Sequence, residues 1–340
     1  MTPLLQANVP AVILAPMEGV TDAPMRALQG ETGAFTYAVS EFLRISHSVP
    51  PKHVYFTHVP ELRTNGTTRT GLPVQVQLLG GDPDRMAAAA VVAHECGATA
   101  IDLNFGCPAK TVNRHDGGAT LLKHPQRLRA IVRAVCEALP KEVPVSAKMR
   151  LGWDSIDSID ENAAMAAEGG AAWITIHGRT RQAGYAPPIF WEPIGRIRAN
   201  LPIPVVANGD IWSFDDFLRC RDETGCIHFM LGRGALANPE LSHRVAEELG
   251  INRRPHAPRE AHHAERDDYD QPDWPSLLQR LVYWTHELRE RPPQNMVRRM
   301  KQWLKMASTC GTFAEFDAIK LASDVPELLE LLNGTLKVVA

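Results

Sequence analysis

The sequence predicts an α/β chain, a TIM (β/α)8 barrel followed by a small C-terminal all-helical domain. Three observations carry that expectation. Eight short apolar runs of strand character recur between residues 11 and 231. Amphipathic, Ala-rich segments lie between most of them, and strand–helix alternation indicates a parallel sheet. From Trp274 onward the pattern changes to leucine-rich helical periodicity.

In chain order the strand-like runs are 11–15, 36–40, 74–78, 99–103, 145–149, 173–177, 205–207 and 227–231. Helical segments are expected over 82–95, 126–138, 160–169, 213–223 and 239–249. Eight such units match the size of a (β/α)8 barrel. A doubly wound sheet is the competing fold, but no GxGxxG follows the first strand. The barrel is therefore assigned to residues 1–250 and the helical domain to 275–340. Residues 251–274 are polar, Pro-containing and poor in large apolar side chains, which reads as a linker or insertion. His256, His262 and His263 lie there without a partner at ligand spacing, so no metal is expected.

An apolar content of 44% supplies a large core for 340 residues. The net charge of −3 argues against whole-protein attraction to nucleic acid and leaves room for a local basic face. After Met1 there is no basic n-region followed by an apolar h-region, and the longest uncharged apolar run, 86–93, is far too short to cross a bilayer. The expectation is a cytoplasmic, monomeric protein with no membrane partner. Cysteines 96, 107, 136, 220, 226 and 310 show no CxxC spacing and read as reduced thiols.

Barrel enzymes carry their chemistry at the C-terminal ends of the strands. Those positions hold Pro16, Met17 and Glu18, then Gln77, Asn104 with Cys107, Lys148 with Arg150, His177, Asn208-Gly209-Asp210 and Gly232-Arg233-Gly234. Any one could simply cap the next helix; a set this dense on one rim points to a site. The last two groups follow strands seven and eight, where many barrels bind phosphate through backbone N–H groups. Arg233 can add charge-assisted bonds there. Gln77, Asn104, Lys148 and His177 then offer amide, ammonium and imidazole donors to a flat, carbonyl-rich heterocycle. A flavin fits that description, with Lys148 placed to stabilise charge near N1–C2=O of its reduced form. Cys107 precedes a proline on a loop, so it suits a proton donor better than a core thiol. This reading does not identify a substrate.

Together these residues resemble the tRNA-dihydrouridine synthases. The matching segments are Ala15-Pro-Met-Glu-Gly-Val-Thr-Asp22, Val76-Gln-Leu-Leu-Gly80, Asp102-Leu-Asn-Phe-Gly-Cys-Pro-Ala-Lys-Thr-Val112, Gly117-Gly-Ala-Thr-Leu-Leu122, Lys148-Met-Arg-Leu-Gly-Trp-Asp154, His177-Gly-Arg-Thr180, Ala207-Asn-Gly-Asp210 and Gly232-Arg-Gly-Ala235. Glu41-Phe-Leu-Arg44 and Arg298-Arg-Met-Lys-Gln-Trp-Leu304 look most like the bacterial C-type branch. The resemblance implies FMN bound in the barrel, NADPH as reductant, a helical tRNA-binding domain, and reduction of the C5=C6 bond of a D-loop uridine, the sixteenth for that branch. By position it places Pro16, Met17, Glu18, Gln77, Lys148, His177, Asn208, Gly209, Asp210, Gly232 and Arg233 at the flavin and Cys107 at C5 of the uracil. Asn104 would position the uracil edge, and Arg44 and Arg150 would face the tRNA.

Arg289, Arg291, Arg298, Arg299, Lys301 and Lys305 outnumber Glu290 among them and form a candidate phosphate-binding face, with Arg299 and Lys301 the chosen contacts. Two other functions compete. One is an FMN barrel reductase of a small molecule, of the dihydroorotate-dehydrogenase or ene-reductase kind, which would need no basic helical tail. The other is an RNA-binding module without turnover, which would need no Cys107, Lys148 and His177 set.

Overall fold

The computed structural model describes residues 4–113, 117–251, 272–288 and 296–339. Its strands are β1 (Ala11–Leu14), β2 (Tyr37–Arg44), β3 (Val74–Leu79), β4 (Ile101–Phe105), β5 (Val145–Arg150), β6 (Trp173–His177), β7 (Val205–Asn208) and β8 (His228–Leu231). They close into a barrel in sequence order, and β8 returns to pair with β1. All neighbouring pairs are parallel.

Both faces of each strand are covered, which is why the strands read as nearly continuous apolar runs. Alternation sorts their side chains. Val12, Leu14, Val74, Val76 and Leu78 join the packed layer between sheet and helices, while Ile13, Tyr37, Val39, Trp173, Val206 and Met230 fill the lumen. In β3 the intervening Gln75 and Gln77 are fully buried. Their amides bond Ser146 and Asp102, so the lumen is polar where those side chains meet.

Two strands run two or more residues past the end the apolar pattern predicts. β2 continues past Ser40 to Arg44 through a register shift between Val39 and Phe42. The buried Glu41 within it accepts a hydrogen bond from the backbone N–H of Gly19. β4 extends through Asn104, which pairs in register with Lys148. Helices follow where caps predict them. Asp82 accepts from the Arg85 amide at 2.9 Å ahead of Pro83–Glu95, and Ser213 with Asp216 closes a capping box on Phe214–Thr224.

Beyond the barrel lie helices Trp274–Leu288, Met296–Cys310, Phe316–Ile319 and Val325–Val339. The first packs on helix Ala23–Glu31 and the second on helix Arg233–Ala237. Trp284 donates Nε1–H to Glu31 at 2.7 Å, and Trp303 donates to the Leu236 carbonyl at 2.7 Å. Apolar side chains from both parts belong to one continuous core. His256, His262, His263, Arg289, Glu290 and Arg291 lie outside the described residues, as does most of 251–274.

Candidate active site

A cavity of about 380 Å³ opens at the C-terminal ends of the strands. Pro16, Met17 and Glu18 line it from β1, Gln77 from β3, Asn104 and Cys107 from β4 and its loop, and Lys148 with Arg150 from β5. His177 closes β6, and Asn208, Gly209, Asp210, Gly232 and Arg233 complete the wall from β7 and β8. Fourteen of the seventeen residues singled out in the sequence therefore meet in one cavity; Arg44, Arg299 and Lys301 do not line it.

At one end the backbone comes unusually close. Gly209 has φ 116°, and a Cβ there would sit 2.6 Å from Ile189 Cδ1 and 3.2 Å from His177 Nε2. A Cβ on Gly234 would sit 2.0 Å from the Ile211 carbonyl oxygen, so only glycine fits. Asp210 faces this end as a carboxylate, which would repel an anion. Arg179 and Arg233 both ion-pair with it, the latter at 3.1 Å, and offset that repulsion. The Arg233 guanidinium also stacks on Trp212 at 4.9 Å. Bare backbone beside a fixed guanidinium is the chemistry of a phosphate subsite.

The floor holds the donors. Lys148 Nζ donates to Asn208 Oδ1 at 2.9 Å, and Asn208 Nδ2 donates to the Met230 carbonyl at 2.8 Å, which fixes the amide. Burial, followed by the charge of Arg150, lowers the Lys148 pKa, while Asp102 below it pulls the other way. His177 is 8% exposed, and its Nδ1 is buried with no hydrogen-bond partner among the described residues. Burial, then the nearby Arg150, Lys148, Arg179 and Arg233, holds its pKa well below the usual value, so the imidazole is neutral.

Cys107 sits above this floor. Its backbone N–H and that of Gly106 both donate to Asn104 Oδ1 at 2.9 Å, and its carbonyl accepts from the Ala119 amide at 3.2 Å. Burial raises the thiol pKa above its ordinary value, against smaller lowering by the Ala109 amide and Arg150. The group is a neutral thiol at physiological pH, fit to give a proton and poorly fit to attack as a thiolate.

The family profile described as Dihydrouridine synthase (Dus) matches residues 13–309. The chain belongs to the dihydrouridine synthase family. A protein of Pseudomonas putida named tRNA-dihydrouridine(16) synthase is 43% identical over 298 residues, which is 87% of each chain. One of the same name from Neisseria meningitidis serogroup A is 41% identical over 326 residues, 95% of this chain and 94% of that one. The solved structure of histamine dehydrogenase from Rhizobium sp. 4-9 has a TM-score of 0.51 at 15% identity, covering 70% of this chain and 46% of the other, a likeness of fold.

In this dihydrouridine synthase three sequence expectations take a different form. Arg150 is only 3% exposed, and its guanidinium donates to the carbonyls of Gly106, Thr180 and Gly184 at 2.8–3.0 Å. It braces the Cys107 loop instead of facing outward. Arg299 points back to the barrel and ion-pairs with Asp22, and Lys301 donates to the Ala322 carbonyl at 2.5 Å. Both are engaged within the protein, because they flank the buried stripe of Met300, Trp303 and Leu304 on opposite sides; Arg298 and Lys305 are the exposed cations of that helix. Arg44 is exposed and donates to the Thr111 carbonyl at 3.1 Å, tying β2 to the short helix Lys110–Asn113 that follows Cys107.

The dihydrouridine synthase cavity also has walls the sequence reading missed. Tyr185, 57% exposed, lies under both Arg150 and Arg233 at 5.2 and 4.7 Å. It sits on a long loop after β6, away from any strand end, so position gave no signal. Arg179, within the His177-Gly-Arg-Thr180 segment, pairs with Asp210, and its place two residues after His177 was the signal in the sequence. Gln302 and Met306 reach the cavity from helix Met296–Cys310, which no strand-end rule could find.

Proposed function

We propose that this dihydrouridine synthase reduces the uridine at position sixteen of the tRNA D loop to 5,6-dihydrouridine, with FMN bound in the cavity and NADPH as the reductant. It would do so in the cytoplasm, as a monomer. The names of the full-length relatives support the substrate, and the donor set supports the cofactor. A buried, unpartnered His177 Nδ1, the Lys148 ammonium and the glycine-lined end with Arg233 fit a flat heterocycle carrying a phosphate. At Gly232 a Cβ would lie 3.5 Å from Ala15 Cβ and from Met17 Sδ, so the missing side chain leaves room beside that end.

Reduced FMN, when bound, supplies hydride from N5 to C6 of the uracil. The protein's residues do the rest. Lys148 and neutral His177 hold the heterocycle by hydrogen bonds, and Lys148 stabilises negative charge near N1–C2=O. Cys107 gives its thiol proton to C5, where the enolate character is quenched. Asn104 retains a second Nδ2 hydrogen to offer the uracil edge. Exposed Arg44 is proposed to face the tRNA, while Arg150, Arg299 and Lys301 would act on it only indirectly, through the intramolecular contacts described above. The base cannot be reached while stacked in folded RNA, so it is flipped into the cavity. The observation that carries this reading is Cys107, its backbone N–H held by Asn104, lining the same cavity as Lys148, His177 and Arg233.

The test maps dihydrouridine by nucleotide in tRNA from cells lacking the gene and from cells given it back. Loss and recovery at position sixteen is expected. No change at any position, with flavin still bound, would favour reduction of a small molecule. A second expectation concerns the glycines. Gly234→Ala should abolish flavin retention, because its Cβ cannot coexist with the Ile211 carbonyl and the turn must open. Flavin absorbance after gel filtration checks it, and full retention would remove that turn from the cofactor site.

A further inference from the structure

We propose that Asp102, which does not line the cavity, is a positioning residue that fixes the Cys107 loop through two side-chain amides. The inference rests on Cys107 being the proton donor. Asp102 lies on β4 with its carboxylate in the lumen, 1% exposed. One oxygen accepts from Ser146 Oγ and the other from Gln77 Nε2 at 2.7 Å. Gln77 Oε1 then accepts from Asn104 Nδ2 at 2.8 Å. That leaves Asn104 Oδ1 facing the loop, where it accepts from the backbone N–H groups of Gly106 and Cys107, both at 2.9 Å.

A side-chain amide has a donor end and an acceptor end, and either could face either way in isolation. Here the two ends of the chain agree. Backbone N–H groups can only donate, so Asn104 must turn its oxygen to the loop and its NH2 to Gln77. A carboxylate can only accept, so Gln77 must turn its NH2 to Asp102 and its oxygen to Asn104. Ser146 is committed in the same sense, because its Oγ accepts from Gln75 Nε2 at 2.9 Å and gives its hydrogen to Asp102. The carboxylate therefore sets the polarity of the whole chain, and the loop receives an acceptor because a buried acid lies two amides away. The sequence hides this link, since Gln77 reads as a cofactor contact and nothing in the pattern ties Asp102 to it.

The experiment uses the full-length, FMN-loaded protein with Asp102→Asn and with Asp102→Asn combined with Gln77→Glu. Ser146 gives its hydrogen to Asp102, so in Asp102→Asn the new amide oxygen is expected to stay on Ser146 and its NH2 to meet Gln77, which reverses both amides and turns the Asn104 NH2 to two N–H groups. In the double variant the carboxylate now at position 77 accepts from the new amide at position 102 and from Asn104, and the polarity at the loop returns. Hydrogen exchange at the Gly106 and Cys107 amides should rise by about 10- to 100-fold in the single variant and return in the double, with exchange over 205–210 unchanged. Turnover of tRNA should fall by a similar factor with KM unchanged, and recover in part in the double. Unaltered exchange in Asp102→Asn overturns the proposal. So does a folded double variant with a loop as open as in the single, since that would mean Asp102 acts through Lys148 or through packing. If the single variant does not fold, protected loop amides in the double still support the relay, and failure of both to fold overturns it in favour of a folding role. The exchange measurement needs no substrate, so an intact relay with full turnover in Cys107→Ala would sink the proton-donor assignment alone.

Discussion

Cys107→Ala is expected to keep FMN and tRNA bound and to lower turnover by about 10²–10⁴-fold, the usual contribution of a positioned general acid. The substitution removes only Sγ. The backbone N–H of residue 107 still reaches Asn104 Oδ1, and Arg150 still holds the Gly106 carbonyl, so the loop keeps its path. With Cys107 as the proposed proton donor to uracil, the thiol would take no part in reducing the flavin, and that half-reaction should be unchanged. The loss should appear only when tRNA reoxidises the flavin, which stopped-flow absorbance separates from the first half-reaction. Unchanged reoxidation would remove Cys107 as the acid. The pH profile follows from the direction of the thiol shift. Burial raises its pKa, the acid form is the active one, and activity is lost as pH rises through that value. The alkaline limb should therefore lie above the ordinary thiol range and vanish in Cys107→Ala.

The barrel was legible because parallel strands covered on both faces leave a strong mark, and β6 was predicted residue for residue at Trp173–His177. The marks fail where a strand carries polar groups inward. Glu41 ended the predicted second strand early, although its carboxylate is buried against the Gly19 amide. Asn104 and Phe105 lay beyond the expected end of the fourth, yet both pair with β5. The strand-end rule gathered fourteen site residues into one cavity, because the closed barrel brings the ends of distant strands onto one rim. It could not tell which charges face outward. Arg299 and Lys301 read as phosphate contacts on a basic face, and the partner that turns Arg299 inward, Asp22, is 277 residues away in the chain. Depth in the lumen was equally hidden: Gln77 lines the cavity as expected, and its amide also bonds Asp102 and Asn104, which no strand-end position could show.

Trp303→Ala should unfold or loosen the protein by about 3–5 kcal/mol and weaken FMN binding with it. Trp303 is 1% exposed and packs edge-on against Trp274 at 5.5 Å. Its Nε1–H donates to the carbonyl of Leu236, and Thr312 Oγ1 donates to that of Ala237. These are the last carbonyls of the short helix Arg233–Ala237, which have no acceptor role within a helix that ends there. The same helix begins with Arg233 and Gly234 in the cavity wall. The C-terminal helices thus hold one end of the element whose other end lines the cavity at the proposed phosphate subsite. Trp303→Phe separates packing from bonding, since it keeps a ring and drops the N–H, and should cost only about 1–2 kcal/mol. Thermal melting and fluorescence titration of apoprotein with FMN, run on both variants, check the order. Should Trp303→Ala weaken tRNA binding and leave FMN affinity unchanged, the helices would serve the RNA alone. The geometry argues otherwise, and it alters how a truncation must be read. Deleting 275–340 would strip the donors from this helix and bare the core that Met300, Trp303 and Leu304 share with the barrel. A loss of tRNA binding in that truncation would report a damaged cofactor site as readily as a missing RNA surface, whereas charge changes at exposed Arg298 and Lys305 leave the shared core intact.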